Sequence, residues 1–334
     1  MNILNVLYQS NDNYAMVTGV SILSLFENNK SLEQINIYIL DDQITEENKE
    51  KLRQLCDRYR RSLHFIDTTK ILKKLKSLHV RPFRNSYTTY FKLMALKNLT
   101  VPGDRILQID GDTIINHSLE ALCSFDLTGS ICAASYECVL NKYKSLVGIP
   151  ENEHYYNCGV LLINQPMWVS ENCEERIVKH LKEVRNGYYT VDQDIINVLF
   201  RKKIKHMDLT YNFNSGFYIY GVKESLKLYR LKESFYYSEE HIRETMKDPM
   251  INHCMGAMTG RPWEKDSIHP QNELFDRYFV LSPWADCEKK TVRRSAIFRA
   301  QRFLYTHLPR PLYIPIHRAV LHWHLRKMNR LVQQ

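Results

Sequence analysis

The residues with the clearest capacity for chemistry stand where an apolar run stops. Arg105-Ile106-Leu107-Gln108-Ile109 leads into Asp110-Gly111-Asp112, and Thr113-Ile114-Ile115 then resumes the apolar pattern. A strand sends alternate side chains to one side, so carboxylates at i and i+2 project together. Two hard oxygen ligands in that position suit Mg²⁺ or Mn²⁺ shared with a diphosphate. An Asp-x-Asp pattern arises by chance about once in a chain of this size, and its plain alternative is a solvated turn whose carboxylates cap backbone amides. The placement favours the ligand reading, because two acids interrupting an otherwise apolar strand are costly unless paired or bound to metal.

Three other segments carry groups of use beside such a site. Tyr155-Tyr156-Asn157-Cys158-Gly159 reads as a loop entering the buried strand Val160-Leu161-Leu162-Ile163. The Asn157 amide can both donate to and accept from a hydroxyl, and Gly159 permits close backbone approach. Asp192-Gln193-Asp194 opens an apolar helical stretch, Ile195 to Phe200. Acids there compensate the helix dipole on the simplest reading, with Asp194 as a helix cap. Ile251-Asn252-His253-Cys254-Met255-Gly256 and Thr259-Gly260-Arg261-Pro262-Trp263 bring together an imidazole, glycines, a cation and an indole. A lone histidine after an apolar residue is ordinarily structural.

The elements that must hold these groups follow a repeating pattern. Asn5-Val6-Leu7-Tyr8 is a short apolar run, followed by the polar turn Gln9-Ser10-Asn11-Asp12-Asn13 and by Met16, Val20, Leu23 and Ser24 at helical spacing. Ile35 to Leu40 is a second strand ending in Asp41-Asp42, and Thr45 is an N-cap with Glu46 and Glu47 in the first helical turn. Leu63-His64-Phe65-Ile66-Asp67 makes a third strand. Such alternation predicts an α/β fold, a mostly parallel sheet covered by helices on both faces. Ligands of that architecture sit at the carboxyl ends of the strands, where the polar loops are.

Composition narrows the class. The 334 residues are 44% hydrophobic and 25% charged, which excludes disorder, collagen and coiled coil. No apolar run has the length of a membrane span, and Met1 to Val6 lacks the layout of a signal peptide, so a cytoplasmic location is expected. The eight cysteines contain no C-x-x-C pair, which disfavours a zinc knuckle or a disulfide framework and predicts reduced, mostly buried thiols. Eleven of the 46 basic residues lie between Lys289 and Gln334, where there is no Asp or Glu. That leaves 35 basic against 37 acidic residues for positions 1–288. A nucleic-acid reader would carry its charge on the folded body, so no nucleic-acid partner is expected. The cationic tail, with Ile297-Phe298, Phe303-Leu304-Tyr305, Leu312-Tyr313-Ile314 and Trp323 among its arginines, predicts two short amphipathic helices separated by a link containing Pro309, Pro311 and Pro315. They would lie on the anionic inner face of a membrane, unless the aromatic residues pack back onto the body.

In order, these segments resemble glycosyltransferase family 8, retaining transferases of GT-A fold that use nucleotide sugars and include bacterial lipooligosaccharide galactosyltransferases and glycogenin. The resemblance runs from Asn5 to about Tyr278. It rests on Gln9 to Ala15, Thr88-Thr89-Tyr90-Phe91-Lys92-Leu93, Asp110-Gly111-Asp112, Tyr156 to Asn164, Asp192-Gln193-Asp194 and His253-x-x-Gly256. It implies a catalytic domain over 1–282, nucleotide-binding to about 115 and acceptor-binding beyond, with the tail at 283–334. Gln9, Asn11, Asn13 and Tyr14 would hold the uridine, Tyr14 by stacking on the base. Asp110, Asp112 and His253 would bind Mn²⁺ or Mg²⁺ with the diphosphate of the donor. Asn157, Asp192 and Gln193 would line the transferred sugar, and Gly256 with a nearby cation such as Arg261 would grip the diphosphate. Asn11 stands where the family commonly has Asp, Lys92 where Arg is usual, so that a bidentate clamp on the diphosphate or on an acid would become a point charge, and Arg261 replaces a lysine after two extra residues.

The activity so implied is transfer of galactose or glucose from a UDP-sugar to a surface glycan or glycolipid precursor, as in lipopolysaccharide biosynthesis. Gln193 is a poor nucleophile because an amide has no ionised lone-pair donor, which favours front-face departure and attack, with Asp194 as the reserve nucleophile. Two alternatives predict different products: a non-catalytic nucleotide-sugar scaffold would bind UDP without turnover, and a nucleotidyltransferase would release pyrophosphate.

Overall fold

A computed structural model describes residues 2–83, 85–184 and 188–332; Met1 and the last two residues of the basic tail, 333 and 334, lie outside the described residues. The strands are β1 (Ile3–Asn11), β2 (Gln34–Asp42), β3 (Ser62–Asp67), β4 (Arg105–Ile109), β5 (Thr113–Ile115), β6 (Cys132–Ala134), β7 (Val160–Asn164), β8 (Ile204–His206), β9 (Phe213–Asn214) and β10 (Ile251–His253). Seven of them form one sheet in the order β3-β2-β1-β4-β7-β6-β8, and β5-β10-β9 form a second. In the large sheet β7 alone runs against its neighbours, while β1 to β4 are parallel and β8 is parallel to β6.

The apolar runs become strands because both faces of the sheet are covered. Leu4, Val6 and Tyr8 of β1 enter one core with Ile35, Ile37 and Ile39 of β2, whereas Leu7, Tyr38 and Leu40 enter the core on the opposite face. The helix Ala15–Asn28 is buried from Ala15 to Phe26 in the first of these cores, which accounts for its nearly unbroken apolar sequence. Thr45 caps the helix Glu46–Arg58 as expected, accepting from Asn48 N at 3.4 Å. Between β1 and β4 the order of the strands reverses, and the crevice beyond their carboxyl ends is where such a sheet receives a ligand.

The tail differs from expectation. Its helices run Ala296–His307 and Arg310–Val332, so the second is long, and the link shrinks to Leu308-Pro309. Pro311 falls in the first turn, where no N–H partner is lost, and Pro315 lies inside the helix. Tyr305, Tyr313 and Ile314 are buried against Ile219, Tyr220 and Leu228 of the body. Ile297, Phe303, Leu312, Ile316 and Trp323 stay exposed. Part of the tail therefore packs back onto the body, as the alternative reading expected, while those five side chains remain in solvent.

Candidate active site

The two acids of Asp110-Gly111-Asp112 mark the turn by which the chain leaves one sheet for the other. Asp110 N donates to Gly159 O at 2.7 Å at the end of the large sheet, and Cys254 N donates to Asp112 O at 2.8 Å beside the small one. A Cβ on Gly111 would sit 2.5 Å from Thr18 Oγ1, so the position between the carboxylates has no room for a side chain. Antiparallel pairing of β5 with β10 puts His253 opposite Thr113. Ligand atoms of Asp110, Asp112 and His253 consequently lie within 4.8 Å of one another. Two carboxylates and an imidazole are a fitting donor set for Mg²⁺ or Mn²⁺.

His253 Nε2 is 3.2 Å from Asp112 Oδ1, and Arg261 Nη1 is 3.2 Å from Asp112 Oδ2. Burial pushes the Asp112 carboxyl up, but His253 and Arg261 outweigh it and hold the group below the usual carboxylate range. Burial likewise opposes charge on His253, and Asp112 reverses that, leaving its pKa raised. Asp112 is thereby held ionised, the form in which a carboxylate binds metal.

Lys92 lies beneath the cluster, 2% exposed. Its Nζ is 2.7 Å from Asp192 Oδ2 and 3.4 Å from Asp110 Oδ1, and donates to Cys158 O at 2.9 Å. Burial works against the lysine charge, but Asp110 and Asp192 overcome it and keep the ammonium firmly protonated. Asp192 is raised to about 6 by burial, although Lys92 pulls the other way. Lys92 is thus a buried internal counter-ion whose partners are protein carboxylates. Of the two roles weighed for it, these contacts are those of a clamp on acids.

The sugar-lining candidates gather on the same side. Gln193 Oε1 accepts from Cys158 N at 3.0 Å. Asn157 Oδ1 accepts from Gly159 N at 2.8 Å, and its Nδ2 donates to Glu137 Oε2. Gly159 has a purpose other than ligand approach: an added Cβ would lie 2.8 Å from His253 Nδ1 and closer still to Cε1, so the imidazole occupies that space. Asp194 is elsewhere, with no solvent exposure. Its carboxylate accepts from Tyr143 Oη at 2.5 Å, Tyr155 Oη at 2.6 Å and Thr190 N at 2.9 Å, which fastens the start of the helix Val191–Phe200.

The segment Gln9 to Tyr14, for which a uridine-binding role is expected, takes in the end of β1 and the short helical turn that follows it. Gln9 Oε1 lies 3.4 Å from Lys92 N. Asn11 Oδ1 accepts from Tyr14 N at 3.1 Å, so its amide presents Nδ2 as the remaining donor. Asn13 is exposed and accepts from Lys290 Nζ through O at 3.2 Å and Oδ1 at 3.1 Å. The Tyr14 ring meets Trp263 edge-on at 5.9 Å, and its hydroxyl accepts from Arg261 Nη1. Gly256 is exposed next to Arg261, whose Cγ and Nε an added Cβ would meet at 2.8 Å.

Three residues of the site escaped sequence reasoning. Gln108 donates to Asp110 Oδ1 at 2.9 Å; a polar residue two before Asp110 on the same strand face was a usable signal. Glu137 is buried at 8% exposure, its pKa raised by burial against bonds from Asn157 and the Cys138 amide. An acid inside Ser135-Tyr136-Glu137-Cys138-Val139 was its only mark. Asn212 bonds both Asn157 and His253, and nothing in Asp208-Leu209-Thr210-Tyr211-Asn212 distinguishes it.

Comparison with known proteins places the chain in a family. The family described as Glycosyl transferase family 8 matches residues 5–267. A "Putative glycosyltransferase" of Haemophilus influenzae is 29% identical over 63% of this chain and 63% of its own length. The chain thus spans under two thirds of that relative. A "Lipopolysaccharide 1,2-glucosyltransferase" of Escherichia coli is 27% identical over 91% of this chain and 85% of its own length. A "Lipopolysaccharide 1,3-galactosyltransferase" of Salmonella typhimurium is 26% identical over 85% and 80% respectively. Among solved structures, galactosyltransferase LgtC, in complex with donor and acceptor sugar analogs, superposes with a TM-score of 0.67 at 23% identity, covering 89% of this chain and 99% of that one. The fold is accordingly that of LgtC, the expected GT-A architecture.

Proposed function

Because this chain belongs to glycosyl transferase family 8, we propose that it transfers galactose or glucose from a UDP-sugar to a surface glycan or glycolipid precursor, with retention at the anomeric carbon. The observation that carries the reading is the meeting of Asp110, Asp112 and His253 with Arg261 on one side and Asn157, Asp192 and Gln193 on the other. Mn²⁺ or Mg²⁺ held by the first three would supply positive charge to the departing diphosphate. Arg261, which reaches both Asp112 and the Tyr14 hydroxyl, is a cation of the chain's own for that charge. Gln193 has its carbonyl engaged by Cys158 N and its NH₂ by the Glu137 carboxylate, and an amide so held cannot act as a nucleophile. With Asp194 buried among tyrosines, front-face departure and attack is the mechanism most compatible with these residues.

The halves up to about 115 and from 116 to 282 would serve donor and acceptor. The tail from 283 would rest on an anionic membrane face, an assignment supported by exposed Ile297, Phe303, Leu312, Ile316 and Trp323 among arginines. No helix among the described residues is long and apolar enough to cross a membrane.

UDP release from a panel of UDP-sugars with Mn²⁺ or Mg²⁺ tests the proposal. Hydrolysis of one donor that disappears on chelation and in Asp112→Ala is the expected outcome and names the sugar. UDP binding without release from any donor would turn the reading toward a scaffold, and pyrophosphate release from a nucleoside triphosphate toward a nucleotidyltransferase. Sedimentation with anionic vesicles, set against zwitterionic ones, tests the tail.

A further inference from the structure

The Asn212 side chain lies between two groups of the site that the sequence separates widely, and all of its polar atoms are used. It is 3% exposed, at the end of the short turn of helix Leu209–Asn212. Its Nδ2 donates to Asn157 Oδ1 at 2.7 Å, and its Oδ1 is 3.0 Å from His253 Nδ1.

The direction of each bond follows from one group that has no choice. The backbone N–H of Gly159 can only donate, and it points at Asn157 at 2.8 Å. The Asn157 atom there must therefore be its oxygen, leaving its NH₂ for Glu137. Asn212 meets that same oxygen, so it must offer its own NH₂ and turn its carbonyl the other way. Facing the Asn212 carbonyl, His253 Nδ1 must carry a hydrogen. The lone pair of a neutral His253 then resides on Nε2, the nitrogen on the side of Asp112. Gly159 confines the same ring from another side, since no Cβ fits there.

We infer that Asn212 is a positioning residue that fixes the tautomer and ring orientation of His253 and ties that imidazole to Asn157. The inference rests on the reading of Asp110, Asp112 and His253 as a metal site. Partners on the distal nitrogen of a ligating histidine orient the ring, and their loss commonly costs about 10- to 100-fold in metal affinity. Here the partner also holds Asn157, so one side chain sets both the metal ligand and an amide expected at the sugar.

The test is Mn²⁺ binding to the full chain by calorimetry, without turnover, for wild type, Asn212→Ala, Asn212→Asp and Asp112→Ala. Asn212→Ala should weaken Mn²⁺ binding by about 10- to 100-fold. Asn212→Asp keeps an acceptor for Nδ1–H and should bind Mn²⁺ within about threefold of wild type. It loses the donor to Asn157, however, so it should raise the KM for the UDP-sugar. In wild type loaded with Mg²⁺, nitrogen-15 NMR of labelled histidine should show a solvent-protected Nδ1–H on His253, a measurement independent of how any variant folds. Wild-type Mn²⁺ affinity in Asn212→Ala, or an unprotected Nδ1–H, would overturn the role given to Asn212. Failure of wild type to bind Mn²⁺ any better than Asp112→Ala would instead overturn the metal site itself, and this inference with it.

Discussion

Replacing Gly159 by alanine presses chiefly on the metal-site imidazole and, at 3.0 Å, on Asn157 Oδ1 as well. Gly159 is not among the glycines with positive φ, so alanine suits its backbone and any effect must be steric. The new methyl would lie 2.8 Å from His253 Nδ1, against the 3.4 Å at which ordinary contact begins, and nearer still to Cε1. The ring must retreat by roughly half an ångström to one ångström, several times the tolerance of about 0.2 Å within which a ligand distance counts as correct. It cannot slide freely, because Asn212 Oδ1 sits 3.0 Å from Nδ1 and Asp112 Oδ1 sits 3.2 Å from Nε2. The expected cost is about 1–3 kcal/mol of overpacking strain, together with a roughly tenfold to hundredfold loss of Mn²⁺ affinity. Thermal melts measure the first, and Mn²⁺ calorimetry on the folded variant measures the second. If Gly159→Ala binds Mn²⁺ like wild type and melts within a degree of it, the ring has an escape route and the account of Gly159 is wrong.

Unfolding entropy near 2.1 cal/mol/K per residue makes 1 kcal/mol worth about 1.4 °C in a chain of this length, which sets the scale for the other variants. Lys92→Met preserves the stem but leaves Asp192 buried without its counter-ion, so it should cost about 3–5 kcal/mol, or roughly 4–7 °C, and abolish turnover; a melt unchanged within a degree would refute the buried ion pair. Glu174 is buried away from the site, accepts from Lys97 N at 2.7 Å and is raised by burial to about 7. The folded state therefore keeps a proton that the unfolded chain releases, and stability falls as pH rises from about 4.5 to 7. Glu174→Gln retains the acceptor without the charge, so it should match wild type at pH 4.5 and exceed it by about 1–3 kcal/mol at pH 8; a lower melt than wild type at pH 8 would show the sign to be wrong. Asp194→Asn keeps an acceptor for Thr190 N and Tyr143 Oη but replaces the charge-assisted acceptor facing Tyr155 Oη by an NH₂, and should lower stability by about 1–3 kcal/mol while turnover per folded molecule stays within about threefold. A hundredfold loss of kcat with the fold intact would restore Asp194 as a participant in the reaction.

How far the site could be read before the fold was known depended on the distance over which each residue acts. Asp110 and Asp112 were legible because strand alternation is local, and two acids in an apolar run contradict their own surroundings. Thr45 was legible for the same reason, since a cap acts on the helix that follows it. The Gln9 to Tyr14 loop, His253 and Arg261 stood out locally but acquired particular roles only through the order of motifs along the chain, and that order said nothing about Asn11 using its carbonyl to cap its own turn. The prolines of the tail show the limit of a breaker rule: Pro311 is harmless in a first turn, and Pro315 is carried by a helix whose Tyr313 and Ile314 are anchored in the body. Asn212 and Glu137 lie at the other extreme. Asn212 meets Asn157 across 55 residues and His253 across 41, where β9 and β10 pair, and neither neighbour is present in any window of sequence around it. Gly159 was read as a position permitting close approach, but the histidine ring that does approach it was not foreseeable, because only the pairing of β5 with β10 brings His253 there. Groups that would touch the donor sit at strand ends and loops with local signatures; the groups that aim them are supplied by whichever element tertiary packing brings alongside, and those carry no signature of their own.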